Sequence, residues 1–192
     1  MPVSTDTVLE KLLIVRCQTG DGAAYAELIA RHQTALFRYL QQSIRDQETV
    51  NDLYQDIWFD VFQSLAKLKD TQAFPAWLFR IAHDRVCRFY RKRGMVYQST
   101  SLEEVTDHLG EVVDHDWDYQ EVHRAFDQLM PVHREVLVLR YLNEFEYAEI
   151  ATILGCPVGT VRSRLFHAKK AIRDIFEGEK NHERERAKPS VA

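Results

Sequence analysis

Along most of the chain, apolar residues recur at intervals of three and four, a spacing that places them on one face of an α-helix. No run of alternating β-branched residues is evident, and no Asn-Gly or Asp-Gly pair joins two such runs. The pattern therefore predicts an all-α protein, with no sheet in its core.

Four helices are predicted in the first part of the chain, from apolar stripes and from residues that begin and end helices. Asp21 is suited to cap the second helix, and Pro75 suits the first turn of the fourth, where a missing N–H costs nothing. Gly20 and Gly94 mark the ends of the first and fourth helices. Helices so close in sequence should bundle, so we assign a first domain to residues 5–94.

A change of composition separates this domain from the rest of the chain. Residues 95–117 contain a succession of acidic side chains with Ser and Thr and no Lys or Arg, which predicts a linker. Helical periodicity then returns in shorter segments over residues 118–178, which we assign to a second small domain. Residues 179–192 are charged and poor in apolar side chains, so they are predicted to form a disordered tail.

Composition narrows the class of protein. With 192 residues, 45% hydrophobic and 28% charged, the chain is long enough to bury a core. No apolar run approaches the roughly 20 residues of a membrane helix, and the N-terminus lacks the pattern of a signal peptide, so a cytoplasmic location is expected. The three cysteines form no CxxC pair, which favours ordinary reduced thiols over a disulfide framework or a zinc site.

The second domain contains a helix-turn-helix pattern. Ala151 is small where two helices would approach closely, Gly155 can adopt the left-handed conformation of a sharp turn, and Pro157 begins the next helix. The outer face of that helix combines cations, hydroxyls and an aromatic ring, which suit a DNA major groove. The candidate residues for duplex binding are Thr160, Arg162, Ser163, Arg164, Phe166, His167 and Lys170. A helical hairpin with a merely solvated basic face is the alternative, but it gives Phe166 no role.

The fourth helix carries a stripe of basic side chains around an aromatic one. Cations follow phosphates and aromatic faces stack on unpaired bases, so such a stripe suits a single nucleic-acid strand. The candidate strand-binding residues are Phe74, Trp77, Arg80, Asp84, Arg88 and Arg91. A solvated charged face with Trp77 in the core explains this stripe equally well.

The third helix has an acidic outer side with an aromatic residue in its midst. An exposed aromatic ringed by polar groups is typical of a surface that binds another protein. The candidate docking residues are Asp52, Gln55, Asp56 and Phe59.

In three of its segments the chain resembles the bacterial RNA polymerase sigma factors of the extracytoplasmic-function (ECF) group. Residues 52–59 (DLYQDIWF) resemble the segment that binds core polymerase, and residues 74–82 (FPAWLFRIA) resemble the helix that captures the melted promoter element. Residues 149–165, which include the helix-turn-helix, resemble the domain that reads the upstream element. These motifs occur in the order that the family has.

The resemblance implies a function and a set of partners. It implies a dissociable subunit that binds core RNA polymerase, the duplex upstream element and the melted downstream element of a promoter, with no cofactor, metal or catalytic residue. It also implies that an anti-sigma factor is a partner to expect. Asp84, where asparagine is usual, and Arg88, where an acid is common, depart from the family pattern, so the preference for the downstream element is expected to be unusual. Glu146 also departs from it, since Ser or Thr is usual near the start of the first helix of the helix-turn-helix, so this helix is expected to be capped differently.

Two rival functions are considered. A free-standing helix-turn-helix regulator needs only the second domain and leaves the two faces of the first without a role. A metal-dependent hydrolase is the second rival, but its candidate ligands follow no known metal-binding spacing. Those candidates are His83, Asp84, His108, His115, Asp116 and His123.

Overall fold

The structure is a computed structural model that describes residues 5–94, 125–126 and 128–186, and within these ranges it contains helices and no strand. The predicted all-α fold is confirmed. The linker predicted over residues 95–117 lies outside the described residues. The helices are α1 (Thr5–Gln18), α2 (Gly22–Ser43), α3 (Gln47–Ser64), α4 (Phe74–Lys92), α5 (Pro131–Leu137), α6 (Tyr147–Leu154) and α7 (Val158–Arg186). Two 3₁₀ turns, Leu65–Lys67 and Thr71–Ala73, lead from α3 to α4, and a π-helical turn, Val138–Leu142, continues α5.

The ends of the first helices follow the local chemistry of the chain. The Asp21 carboxylate accepts hydrogen bonds from the backbone N–H groups of Ala23 and Ala24 at 3.0 and 3.1 Å, so it satisfies two of the free donors of α2. Gly20, with φ of 90°, adopts the left-handed conformation that ends α1. Asp46 caps α3 through the backbone N–H of Thr49, so most of the polar segment 46–49 belongs to the helix itself.

Helices α1 to α4 form a bundle around a core of aliphatic and aromatic side chains. Leu28, Leu36, Ile57 and Leu78 have no exposed surface. Burying one such side chain contributes roughly 1.5–3 kcal/mol, so these core residues account for much of the stability of the bundle. The Gln18 side chain ties α1 to the α3–α4 connection by donating to backbone carbonyls there at 2.8 and 3.0 Å.

Helices α5 to α7 form the helix-turn-helix unit. Gly155, with φ of 62°, makes the sharp turn between α6 and α7, as the sequence predicts. Ile150, Val161 and Leu165 point inward and are buried, as their spacing predicts. Helix α6 begins where the backbone N–H of Glu146 donates to the Glu149 carboxylate at 2.8 Å.

The two units pack against each other and share one continuous core. Helix α6 lies on α4, and α5 lies on α2. The sequence predicts two helical units but gives no signal for this contact between them. Across this contact, the Arg80 guanidinium on α4 donates to the backbone carbonyl of Ile153 on α6 at 3.0 Å.

The last helix is longer than the sequence analysis suggests. The tail predicted to be disordered from residue 179 is helical as far as Arg186. Glu, Lys and Arg are strong helix formers, so a segment rich in them can continue a helix without apolar side chains of its own.

Candidate nucleic-acid and polymerase interface

The outer face of α7 lies open to solvent. Arg162 and Lys170 are exposed, and Phe166 is 39% exposed although it is a large apolar side chain. Thr160, Ser163, Arg164 and His167 are half-buried along the same face. The structure therefore presents the predicted duplex-binding residues as one accessible surface at the start of a helix.

One residue of this face is held from behind by a histidine that the sequence analysis did not single out. The rings of His133 on α5 and His167 stack with centroids 6.3 Å apart and planes 18° from parallel. Burial lowers the pKa of His133, and the nearby His167 and Arg164 lower it further. A neutral His133 can support the His167 ring without adding charge to the surface.

The predicted stripe on α4 is only partly accessible. Asp84, Arg88 and Arg91 are exposed, and Trp77 is half-buried against the ring of Phe74. Arg80 differs from the other cations, because its guanidinium donates to the backbone carbonyl of Ile153 at the end of α6. The stripe is therefore accessible mainly through its basic C-terminal end, and its aromatic residue, Trp77, is half-buried near the start of α4.

The prediction that Phe74 lies on this stripe is wrong for the described structure. Its ring has no exposed surface and packs edge-on to the ring of His32, with centroids 5.1 Å apart. The reason is its position at the first residue of α4, where the preceding 3₁₀ turn directs it into the bundle. Phe74 supports Trp77 from inside and cannot stack on a base in this arrangement.

The acidic face of α3 is exposed as predicted. Asp52, Gln55 and Asp56 are accessible, and Phe59 is 59% exposed. Exposure on this scale for a phenylalanine leaves a large apolar surface in water, which a partner protein would cover.

Arg85 of α4, which sequence reasoning missed, ties this face to the strand-binding helix. Its guanidinium donates to the Asp60 carboxylate twice at 2.6 Å and to Asp56 at 2.7 Å. Part of the acidic charge of α3 is therefore neutralised within the protein. The sequence shows two acids one turn apart on α3, Asp56 and Asp60, and a cation on α4, Arg85. Their contact could have been predicted only if it had been known that α3 packs against α4.

A buried polar network lies between the two units, and it too was not predicted. Glu135 of α5 accepts a hydrogen bond from the Tyr39 hydroxyl at 2.5 Å and pairs with Nδ1 of His83 at 2.8 Å. The Cys87 thiol lies 3.3 Å from the other ring nitrogen of His83. Burial favours the neutral ring, but the Glu135 carboxylate and the hydrogen bonds outweigh it and raise the pKa of His83 to about 10. The His83 ring is therefore protonated at neutral pH.

Among the residues that the structure describes, neither the thiols nor the metal candidates form a site. Cys17 and Cys87 are buried and Cys156 is half-buried, and all three are free; burial raises the pKa of Cys17 to about 11. Within the described ranges, no three His, Cys, Asp or Glu side chains are grouped so that they could hold a metal ion. Four of the six hydrolase candidates, residues 108, 115, 116 and 123, lie outside those ranges.

Taken together, these observations describe a helical protein with a helix-turn-helix unit, an exposed basic face on its last helix and an exposed acidic face on α3. Family models agree: the model for sigma-70 region 2 matches residues 28–95, and the model for sigma-70 region 4 matches residues 119–172. The chain belongs to the bacterial RNA polymerase sigma factors, in the ECF group. The rival of a free-standing regulator is not favoured, because it leaves the region 2 match without a role.

Relatives along nearly the whole chain support this assignment. RNA polymerase sigma-H factor of Pseudomonas aeruginosa is 28% identical over 176 residues, which cover 85% of this chain and 91% of the relative. The ECF RNA polymerase sigma-E factor of Escherichia coli is 28% identical over 182 residues, with coverages of 88% and 94%. Both relatives are sigma factors by name.

Two solved structures share the fold. CnrH, in complex with the cytosolic domain of CnrY, matches with a TM-score of 0.65 at 22% identity and covers 88% of this chain and 97% of its own. The sigma factor RpoE of Bartonella quintana, in complex with the anti-sigma factor NepR, matches with a TM-score of 0.63 at 24% identity, with coverages of 80% and 96%. None of the helices in the described ranges is long and apolar enough to cross a membrane.

Proposed function

We propose that this sigma factor divides promoter recognition between its two units. Residues 118–178, the region 4 unit, read the upstream element as duplex, while residues 5–94, the region 2 unit, bind core polymerase and hold the melted downstream element. The open basic face of α7 carries this proposal, because it presents an aromatic ring and cations together at the start of a helix.

On the duplex, the first turns of α7 enter the major groove. Arg162, Ser163, Phe166 and His167 lie nearest the base edges, where a guanidinium can bind guanine and a ring can contact a thymine methyl group. Arg164 and Lys170 contact phosphates and fix the register, with Thr160 at the start of the helix.

On the melted strand, the α4 stripe acts as a basic and aromatic surface. Trp77 stacks on an unpaired base, and Arg88 and Arg91 follow the phosphates. Trapping extruded bases draws the opening equilibrium forward, since unstacking costs a few kcal/mol per base that these contacts offset. Asp84 lies 3.4 Å from Arg80 and orients it, so together with Arg88 it sets the preference for the downstream element.

On the polymerase, the α3 face docks through its exposed aromatic and acidic side chains. Phe59 is the anchor, and Asp52, Gln55 and Asp56 supply a polar rim of negative charge. The binding partner is a basic surface of core RNA polymerase, the clamp coiled coil of its largest subunit.

The remaining properties follow from the same role. The chain acts by binding and performs no catalysis of its own, without cofactor or metal, in the cytoplasm where its polymerase is. An anti-sigma factor is a further partner, since solved relatives of similar fold were obtained in complexes of this kind.

Run-off transcription tests the proposal, with core polymerase of the native host and promoter fragments from that host. We expect new start sites that require the protein. Arg162→Ala should reduce their yield by about 10- to 100-fold, the typical cost of one base contact. The matched control is Arg173→Ala, which removes an exposed arginine farther along the same helix. Specific duplex binding by the protein alone, with no stimulation of transcription, would contradict the division of roles.

A further inference from the structure

We propose that His133 of α5 positions His167 of α7 for reading one base pair of the upstream element. The His133 ring stacks on the His167 ring and fixes the direction in which that imidazole presents its N–H group. A side chain that acts only through its neighbour thus determines a preference for a base. This inference rests on the proposed role of the α7 face in reading duplex DNA, and it assigns to His133 a part in specificity.

The His167 ring is in contact with two other rings. It lies nearly parallel to the ring of His133, with centroids 6.3 Å apart and planes 18° from parallel. It also packs edge-on to the ring of Phe166, with centroids 5.5 Å apart and planes at 80°. Both separations lie within the range of about 4.5–7 Å in which aromatic pairs attract each other. Contacts in two directions restrict the orientation of the His167 ring more than either contact alone.

The orientation of this ring matters for reading DNA. A neutral imidazole carries one N–H donor and one acceptor nitrogen, and the two point in different directions. In the major groove, adenine and guanine both present the N7 acceptor, which cytosine and thymine lack. An N–H group held toward the base edges can donate to N7, whereas the acceptor nitrogen cannot. We therefore expect the base pair that His167 contacts to carry a purine on one particular strand.

The charge of His133 does not explain its place beside His167. Burial lowers the pKa of His133, and the neighbouring His167 and Arg164 lower it further, so its ring is neutral at neutral pH. A neutral ring adds no cation for the DNA phosphates. What His133 contributes to the α7 face is therefore its contact with the His167 ring.

The position of His133 on α5 suits this supporting role. Its neighbours Val132 and Val136 are buried in the core, whereas His133 is half-buried where α5 packs on α7. To fill space at such a position, an apolar side chain of similar size, such as leucine, is sufficient. Stacking requires a flat ring. Substitutions by leucine and by phenylalanine therefore separate the two roles.

Run-off transcription on variants of one promoter tests the proposal. With core polymerase of the native host, a promoter that the protein serves is varied one base pair at a time through its upstream element. The ratio of transcript yields with a purine and with a pyrimidine is measured at each base pair. His167→Ala identifies the base pair that His167 contacts, because the purine preference there should fall to about one.

His133→Leu should reduce the purine preference at this base pair by about fivefold, the lower end for loss of one base contact, and leave the other preferences unchanged. His133→Phe keeps a ring that can stack, so it should retain most of the preference. Gln128→Leu, which introduces the same leucine at an exposed position before α5, is the matched control and should change no preference. Because each preference is a ratio of yields, partial loss of folded protein does not alter it.

Three results would overturn the proposal. A purine preference that survives His133→Leu would show that His167 reads its base pair without support. An equal loss of preference at every base pair would show that His133 only stabilises the unit. A loss in His133→Phe as complete as that in His133→Leu would show that stacking is not how His133 acts.

Arg162→Ala in the same assay separates this inference from the function on which it rests. If Arg162→Ala abolishes a preference at its own base pair while no variant of His133 or His167 changes any, α7 reads the duplex and positioning by His133 is wrong. If none of these variants changes any preference, both proposals are wrong, since His167 can be positioned for reading only on a face that reads.

Discussion

Glu135 lies at a position of α5 that is surrounded by apolar residues, Val132, Val136 and Leu139, all of them buried. An acid at an inward position of a short helix is a signal that sequence analysis can detect, since lone buried acids are rare. What the sequence cannot supply is the partner, because His83 lies 52 residues away on another unit. Periodicity was enough to predict which helix faces are exposed, apart from Phe74, whereas this pair between units could not be predicted.

The His83–Glu135 pair makes stability depend on pH in a direction set by the raised pKa of His83. The folded pKa of about 10 lies above the ordinary value of 6.5, so the folded state binds the proton more tightly. The stabilisation is therefore complete below pH 6.5 and is lost as the pH rises through about 10. Urea unfolding across pH 6 to 10 should show the advantage of the unmodified protein over His83→Gln shrinking toward alkaline pH.

His133 provides the contrasting control, because burial lowers its pKa. The neutral form of His133 is favoured in the folded state. The free energy of unfolding of the unmodified protein should therefore exceed that of His133→Gln by most at higher pH, and this difference should shrink as the pH falls. Equal pH profiles for the two variants would contradict the assignment of an ionised His83.

Gly155 yields a second prediction for a single residue. Gly155→Ala places a side chain at a φ of 62° and against Arg80, so it should lower the free energy of unfolding by about 1–2 kcal/mol or more. The matched control is Gly159→Ala in the first turn of α7, where an added Cβ meets nothing within 4 Å and alanine favours the helix. Urea denaturation of the two variants measures the difference, and equal stability would contradict the turn assignment.

At the scale of helices, local chemistry predicted the beginnings and ends well, because caps and turns act within a few residues. Asp21, Pro75 and Gly155 stand where their chemistry placed them. Phe74 was misplaced because periodicity alone does not tell whether the first residue of a helix faces outward. The extension of α7 to Arg186 was missed because a lack of apolar residues was taken to indicate disorder. Such a segment cannot be buried in a core, but it can still form a helix.

Arg85 determines how α3 and α4 are held together. It bridges Asp56 and Asp60, two acids one turn apart whose charges repel without it. Arg85→Met keeps much of the length of the side chain and removes its charge, so it should lower the free energy of unfolding by about 1–3 kcal/mol. Arg88→Met, at an exposed position on the same helix, should change it by less than about 0.5 kcal/mol in urea denaturation. A similar small effect for both would mean that the bridge contributes nothing to the packing of α3 on α4.

At the scale of the whole molecule, the two proposed DNA-binding surfaces and the proposed polymerase-docking face belong to a protein with a net charge of −4. A negative protein is repelled by DNA at long range, so local basic faces act only when something else brings them close. Docking on polymerase supplies that proximity, since it converts promoter binding into an intramolecular step. Under the proposed division of roles, promoter binding should therefore depend on α3 as much as on the helices proposed to bind DNA.

Phe59 tests this dependence most directly. It is 59% exposed, so Phe59→Ser should leave stability within about 0.5 kcal/mol of the unmodified value, while loss of a central anchor should weaken binding to core polymerase by roughly 30-fold or more. Phe62→Ser is the matched control: Phe62 lies one turn farther along α3 and is 61% exposed, and its ring packs against Tyr25. Fluorescence anisotropy of the labelled protein with core polymerase measures both. If Phe62→Ser weakens binding and Phe59→Ser does not, the docking face lies nearer Tyr25 of α2 than proposed, and the acidic side chains around Phe59 serve only solubility.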